Sequence, residues 1–312
     1  NARLIIDKNK KIYLFSEKTK TFNIIKEKKI KKDQVINNSE FLTIINQLPG
    51  RNFIIDNKTC SIFYENIIKT KFKILKLNDP IYKLKSIKNM CEIKYMIEAH
   101  KKDGLALTRF IYWIKNINKK TITEVDAQNK LEKFRKLNKN YLFPSFNTIA
   151  GTGSNGAIVH YRATSKNTQK IFKKDIFLVD SGGQYEYGTT DVTRTICFTE
   201  QKLAIKNAYT NVLKGHIAVV KTNLDKANTG KKIDIRARKF LKKDGKDYAH
   251  GTGHGVGFFL NVHEGPQSIS KYNNIKIVKG MILSNEPGFY KKNHFGIRIE
   301  NLIYTKKLKS KL

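Results

Sequence analysis

The sequence predicts an α+β protein in two parts, an α/β domain over residues 1–84 and a larger domain of helices and strands over 85–312. Three observations predict it. At 312 residues the chain is long for one domain and short for three. Near Ile87 the pattern changes from short apolar runs between polar turns to a helical period. Helical periods and β-rich runs then alternate as far as Asn301. With 40% hydrophobic residues, among them 18 Phe and 14 Tyr, there is material for a real core.

In the first part, Leu4–Ile6 and Ile12–Phe15 flank Asp-Lys-Asn-Lys turn chemistry and read as strands, as do Phe53–Asp56 and Phe72–Leu75. Ser39–Leu48 reads as a short helix capped by Ser39. The run KEKKIKK, Lys26–Lys32, reads as a solvated edge rather than a binding site. Asp79-Pro80 breaks the chain as a linker. Nothing in this part has catalytic spacing.

In the second part, Met90, Ile93, Met96, Leu107, Phe110 and Ile114 predict a helix to about Asn116, with Gly104 tolerated inside it and Trp113 in the core. Thr123 caps a second helix, with acids in its first turn, that runs to about Leu137. Phe146–His160 reads as strand, glycine loop, strand; no Lys-Ser/Thr follows its glycines, so it is not a phosphate loop. A lone histidine such as His160, at a strand end, is more often structural than catalytic. Two amphipathic helices are predicted over Glu200–Lys221 and Thr229–Lys243.

The chain is organised around LVDSGGQYEYGTTDVTRT, Leu178–Thr195, a strand, a hairpin-like excursion and a return strand with Asp180 and Asp191 near its two ends. Two further acids, Glu286 and Glu300, sit on predicted strands Ile282–Glu286 and Phe295–Ile303, separated by a turn with Pro287 and Gly288. HGTGHGVGFFLNVHEGP, residues 250–266, presents His250, His254 and His263 among too many glycines for a zinc-peptidase helix. One acid buried in a strand finds an ion-pair partner as readily as not. Four together, in a chain of 26 acids and 61 bases, point to a shared cation. Four carboxylates and an imidazole suit two divalent ions, Mn²⁺ before Co²⁺, Zn²⁺ or Fe²⁺. Two such ions about 3.5–4 Å apart acidify a bridging water and steady a tetrahedral intermediate.

The formal charge of +35 raises nucleic acid or an anionic surface as partner. The lysines are scattered, however, and arginine is comparatively scarce, so a solvated lysine-rich surface is the better reading and no nucleic-acid partner is expected. Cys60, Cys91 and Cys197 form neither a zinc spacing nor a disulfide framework, so a reducing cytoplasm is expected. No apolar run nears the roughly 18 residues of a membrane span.

The stretches TGSNGAIVHYRAT, LVDSGGQY…GTTDVTRT, HGTGHGVGFFLNVHEGP and ILSNEPGFY…FGIRIENL resemble the aminopeptidase P (Xaa-Pro aminopeptidase) group of the pita-bread, or creatinase/methionine aminopeptidase, fold. The likeness runs almost unbroken from Ile81 to Glu300, and the Asp180–Asp191 and Glu286–Glu300 spacings match the family. It implies a pita-bread catalytic domain behind a partial creatinase-like N-terminal domain. It implies that Asp180 binds one metal, that Asp191 and Glu300 bridge both, and that His254 and Glu286 complete the other shell. Glu286 would also shuttle the proton of a metal-bridging hydroxide. His160, His250 and His263 would line the substrate site, with His160 and His263 catalytic, and Arg298 would support ligands or pocket, strand alternation placing it on the face of Glu300. The implied substrate is a peptide with proline second, whose tertiary amide has no N–H and a fixed ring.

Family members often carry two domains before the catalytic one and an extension after it. Here about 84 residues precede it and the chain stops at Leu312, so both ends read as truncated, and a homodimer is an expectation for the full-length protein only. The rival readings are a prolidase, restricted to dipeptides, and a non-catalytic RNA- or protein-binding member of the fold. A full set of five ligands argues against the second.

Overall fold

Short β-branched runs separated by tight polar turns dictate the start of the chain. In the computed structural model, which describes residues 2–117 and 122–306, the chain divides into two compact units, Asn1–Pro80 and Ile81–Leu312. The end of the expected second domain, residues 307–312, lies outside the described residues.

The first unit opens with an antiparallel hairpin, β1 (Arg3–Ile6) and β2 (Ile12–Phe15), with Ile6 opposite Ile12. The Asp7 carboxylate closes its turn by accepting the N–H groups of Asn9 at 2.8 Å and Lys11 at 2.9 Å. Helix α1 (Lys18–Lys26) leads to β3 (Val35–Ile36), which runs parallel to β2. Helix α2 (Phe41–Gln47), strand β4 (Asn52–Ile55), helix α3 (Ile62–Lys69) and strand β5 (Lys73–Lys76) follow, with β4 and β5 parallel. Phe15, Phe41, Ile45, Ile55, Ile68 and Phe72 form its core. Ser39 is not the cap expected of it. Asn37 accepts the Ser39 N–H and caps a 3₁₀ turn, Asn38–Glu40, that leads into α2.

The second unit starts from α4 (Pro80–Ser86) and the long helix α5 (Met90–Asn116). Asn89 and Glu92 cap α5 reciprocally, and Gly104 passes inside it. Its buried face is Ile93, Met96, Ala99, Asp103, Leu107, Phe110 and Ile114, whereas Met90 is exposed and Trp113 packs against the core half-buried. Helix α6 (Glu124–Lys136) follows its Thr123–Asp126 capping box. Strands β6 (Tyr141–Pro144), β7 (Ile149–Thr152), β8 (Ile176–Ser181), β9 (Gly183–Tyr185), β10 (Gly188–Thr189) and β11 (Val192–Cys197) come next. They form two three-stranded sheets, β11-β8-β7 and β10-β9-β6. Helices α7 (Leu203–Val220) and α8 (Gly230–Lys243) then form a second packed pair. Strands β12 (Gly253–His254), β13 (Ser268–Ile269), β14 (Ile282–Asn285), β15 (Gly288–Lys291), β16 (Phe295–Arg298) and β17 (Asn301–Tyr304) complete the unit as three antiparallel pairs, β12-β13, β14-β17 and β15-β16.

Each helix pair buries its own core. The α5–α6 pair packs on β7, β8 and β11 through Leu107, Phe110, Ile114, Leu131, Phe177 and Val179. The α7–α8 pair packs through Val219, Ile233 and Ala237 on one side and Val212 and Leu241 on the other. Strand β16 meets the turn that follows β7 at glycine: a Cβ on Gly296 would lie 1.8 Å from the Gly156 carbonyl oxygen.

The fold departs from the sequence reading in three places. The second strand expected before His160 is a 3₁₀ turn, Gly153–Ala157, because Gly153 sits at φ +52° and Gly156 folds back onto Gly151. The expected strand Phe295–Ile303 breaks at Ile299–Glu300, and Gly288, expected in a turn, begins the strand paired with β16. Of the four acids expected on strands, only Asp180 lies inside one; Asp191, Glu286 and Glu300 sit just outside strand ends.

Candidate active site

Strand β8 sets Asp180 opposite Thr193 of β11, inside a ladder that satisfies its main chain. The side chain is buried. Its Oδ2 accepts Arg298 Nη2 at 2.7 Å, while Oδ1 is buried without a hydrogen-bond partner. Asp191 precedes β11 and is 3% exposed. Glu300 is held across the strands: its N–H donates to the Thr193 carbonyl at 3.2 Å and its Oε2 accepts the Thr193 hydroxyl at 2.7 Å. Its own carbonyl accepts Arg194 Nη1 at 2.8 Å. Glu286 follows β14, its N–H given to the Thr252 carbonyl at 2.8 Å and its Oε1 accepting the Ser284 hydroxyl at 3.0 Å.

The glycine-rich loop brings His254 to these acids. Its Nε2 lies 3.3 Å from Asp191 Oδ2 and 3.4 Å from Glu286 Oε1, while Nδ1 is 2.9 Å from the Gly255 carbonyl. A main-chain acceptor on one ring nitrogen turns the other toward the carboxylates, as metal-ligating histidines are oriented. Ligand atoms of Asp191, His254 and Glu300 all lie within 4.8 Å of one another.

Charge explains why this cluster suits a cation. Burial first, then the neighbouring carboxylates, pushes the carboxyls of Asp191 and Glu300 well above the usual range. Burial raises Glu286 as well, against the pull of His254 and Arg298. Among the described residues, Arg298 and His254 are the only bases in ion-pair contact with the four acids. The donor set is hard oxygen with one nitrogen, and Asp180 Oδ1 is a buried acceptor with nothing to accept. Divalent cations fit that chemistry.

Around the cluster, Arg298 is 1% exposed and reaches three groups: Asp180, the Tyr290 hydroxyl at 2.6 Å and the Thr193 hydroxyl at 3.2 Å. It meets Glu300 through Thr193 rather than by strand alternation, since the strand ends at Arg298. Burial opposes its charge, but Tyr290 and Asp180 more than restore it. The Tyr290 hydroxyl also lies 2.8 Å from His250 Nε2, whose Nδ1 is 2.7 Å from the Gly251 carbonyl. Burial, then Arg298, lowers His250 to about 4, so the ring is neutral at pH 7 and the tautomer with the proton on Nδ1 suits both contacts. His263 packs edge-on against His254 with centroids 4.2 Å apart. His160 is exposed on the turn after the 3₁₀ segment, close enough to weigh on the charge of His250. Beside His263 a cavity of about 520 Å³ is lined by Phe143, Ser145, Gln184, Phe259, Leu260 and Asn261, none of them charged.

Tyr290 and Thr193 were not singled out in the sequence. Thr193 and Thr195 alternate just after Asp191, a signal that was available; Tyr290 gave none.

The family model of metallopeptidase family M24 matches residues 94–307. A protein of Paracoccidioides lutzii named Probable Xaa-Pro aminopeptidase P is 44% identical over 268 residues, covering 84% of this chain and 43% of its own. One from Pyrenophora teres with the same name is 44% identical over 245 residues, 77% of this chain and 37% of its own. The chain thus spans less than half the length of these relatives. Among solved structures, the X-prolyl aminopeptidase of Caenorhabditis elegans, described as a cytosolic enzyme with a di-nuclear active site, superposes with a TM-score of 0.83 at 29% identity, over 97% of this chain and 51% of that one. A prolidase from Pyrococcus furiosus gives 0.81 at 27% identity, over 97% and 86%. The second unit has the pita-bread fold.

Proposed function

The chain belongs to metallopeptidase family M24, and from that premise we propose that it is a Xaa-Pro aminopeptidase working with two divalent ions, Mn²⁺ in the first place, in the cytoplasm. The observation that carries the reading is the buried meeting of Asp191, His254 and Glu300, with Glu286 beside His254 and a free oxygen on Asp180. These five side chains would hold the ions. When bound, such a pair acidifies water and polarises the scissile carbonyl.

The chain's own residues account for the rest. Glu286, its carboxyl raised by burial and hydrogen-bonded by Ser284, is placed to take and return a proton. His263 and His160 would orient the scissile carbonyl and stabilise developing charge. His250, fixed by Tyr290, offers a neutral ring for the proline side, and Arg298 braces both Tyr290 and Asp180. An X–Pro bond has no N–H to offer, so selection rests on the ring's shape.

No helix among the described residues is long and apolar enough to cross a membrane. The excess of lysine is read as solvated surface with no nucleic-acid partner. A prolidase is the second reading, favoured by the Pyrococcus furiosus neighbour. The Mn²⁺-loaded protein is expected to release arginine from Arg-Pro-Pro faster than it cleaves Gly-Pro. The reverse order makes it a prolidase, and no cleavage of either ends the peptidase reading.

A further inference from the structure

Outside the metal cluster, one buried cation reaches the site at second hand. Lys88 stands two residues before α5 and is 3% exposed. Its Nζ donates to Glu264 Oε1 at 3.3 Å, and its N–H is fixed to the Gly280 carbonyl at 2.8 Å. Burial pulls the ammonium below its ordinary value while Glu264 opposes the fall. Glu264 is 4% exposed, and its other oxygen has only the Lys85 ammonium, 3.2 Å away. A lysine and a glutamate are seldom buried unless each is the other's partner.

Glu264 is the residue after His263, and the loop folds around it. Its N–H donates to the Gly255 carbonyl at 2.8 Å, and the Gly255 N–H donates to the Gln267 carbonyl at 3.1 Å. A Cβ on Gly257 would lie 2.7 Å from Glu264 Oε2, so the glycine leaves room for the carboxylate. His254 and His263 therefore enter the site from one loop whose inner plug is Glu264. Among the described residues His263 makes no side-chain hydrogen bond of its own; its ring is exposed between buried Val262 and buried Glu264. Its place edge-on to His254 is inherited from the anchor beneath it.

We propose that Lys88 is a positioning residue which, through its ion pair with Glu264, holds the 255–267 loop so that His263 stays seated against His254. The proposal rests on reading this cluster as the peptidase site, and the test separates the two.

The protein, Lys88→Met and Lys88→Arg are compared by metal content and by kinetics on Arg-Pro-Pro when loaded with Mn²⁺, and by the imidazole NMR signals of His254 and His263 when loaded with diamagnetic Zn²⁺. Lys88→Met keeps the stem and removes the charge. It is expected to bind both ions, to lose about tenfold or more in kcat/KM, the effect of losing an orienting partner, and to shift the His263 signal with loss of its contact to His254. Lys88→Arg restores most of both. If Lys88→Met does not fold, Lys88→Met/Glu264→Gln, which leaves no buried charge, carries the same readouts. A lower Tm with unchanged kcat/KM and an unmoved His263 signal overturns the proposal. If the parent protein cleaves no peptide, the peptidase reading falls, and the NMR signal still decides whether Lys88 seats His263.

Discussion

The two halves of the second unit solve one problem differently. In each, a helix pair buries an arginine–aspartate pair that reaches toward the site. In the first half the pair spans two helices: Arg135 of α6 gives Nε and Nη2 to Asp103 of α5 at 2.7 and 3.0 Å, and Nη2 also donates to the Ser181 hydroxyl beside Asp180 at 3.0 Å. In the second half the pair lies on α8 alone: Arg238 donates to Asp234 at 2.7 Å, and its other nitrogens go to Asp247 Oδ1 at 2.6 Å and to the carbonyls of Tyr248 and His250, each at 2.7 Å. A strand's main chain is already satisfied by its ladder, so the first arginine grips a side chain. A glycine-rich loop has carbonyls to spare, so the second grips main chain as well as the Asp247 carboxylate.

The largest expected effect tests whether the halves share one centre. Asp191→Ala, from the first, and Glu300→Ala, from the second, are each expected to lower kcat/KM on an X-Pro peptide by on the order of 10³-fold or more, the scale of losing transition-state electrostatics. A centre belonging to one half would leave one of the two variants active.

Next come the arginines. Arg135→Met and Arg238→Met each strand a buried aspartate, and thermal or denaturant unfolding should show about 3–5 kcal/mol lost. They should differ in kind. Arg135→Met is expected to weaken metal affinity by about 10–100-fold, through Asp180. Arg238→Met is expected to raise KM, through His250. The same kinetic signature from both would erase the contrast drawn above.

Metal removal is a milder probe. In the chelated protein the folded carboxyls of Asp191, Glu286 and Glu300 lie above their unfolded values near 4.5 and 3.8. The folded state then binds more protons, so stability falls as pH rises from the unfolded values through the raised ones. Tm of the chelated protein should fall between mildly acid and neutral pH, and metal should abolish that slope. Smallest are the caps. Thr123→Ala loses a reciprocal box and Thr229→Ala a single 3.4 Å bond, so the first should cost about 1 kcal/mol and the second less, with activity unchanged.

Much of this was legible in the chain because the signals are local. Helices α5, α6, α7 and α8 announce themselves by period, α6 also by its cap, and the glycines of 250–257 exclude a helix whatever surrounds them. The acids were legible through their number among so many bases. The bracing was not. Arg298 finds Asp180 across 118 positions and Lys88 finds Glu264 across 176, and no spacing records such meetings. The strand expected before His160 failed for a local reason: Gly153 turns the backbone at φ +52° and Gly156 folds back onto Gly151.

That contact at Gly156 and Gly296 carries a consequence for heredity. A lineage can reload its surface with lysine and leave the chemistry alone, because solvent absorbs each exchange. It cannot lodge so much as a methyl group at Gly296 without wedging β16 off the turn that follows β7. A tolerance that narrow therefore belongs to a residue that does no chemistry at all.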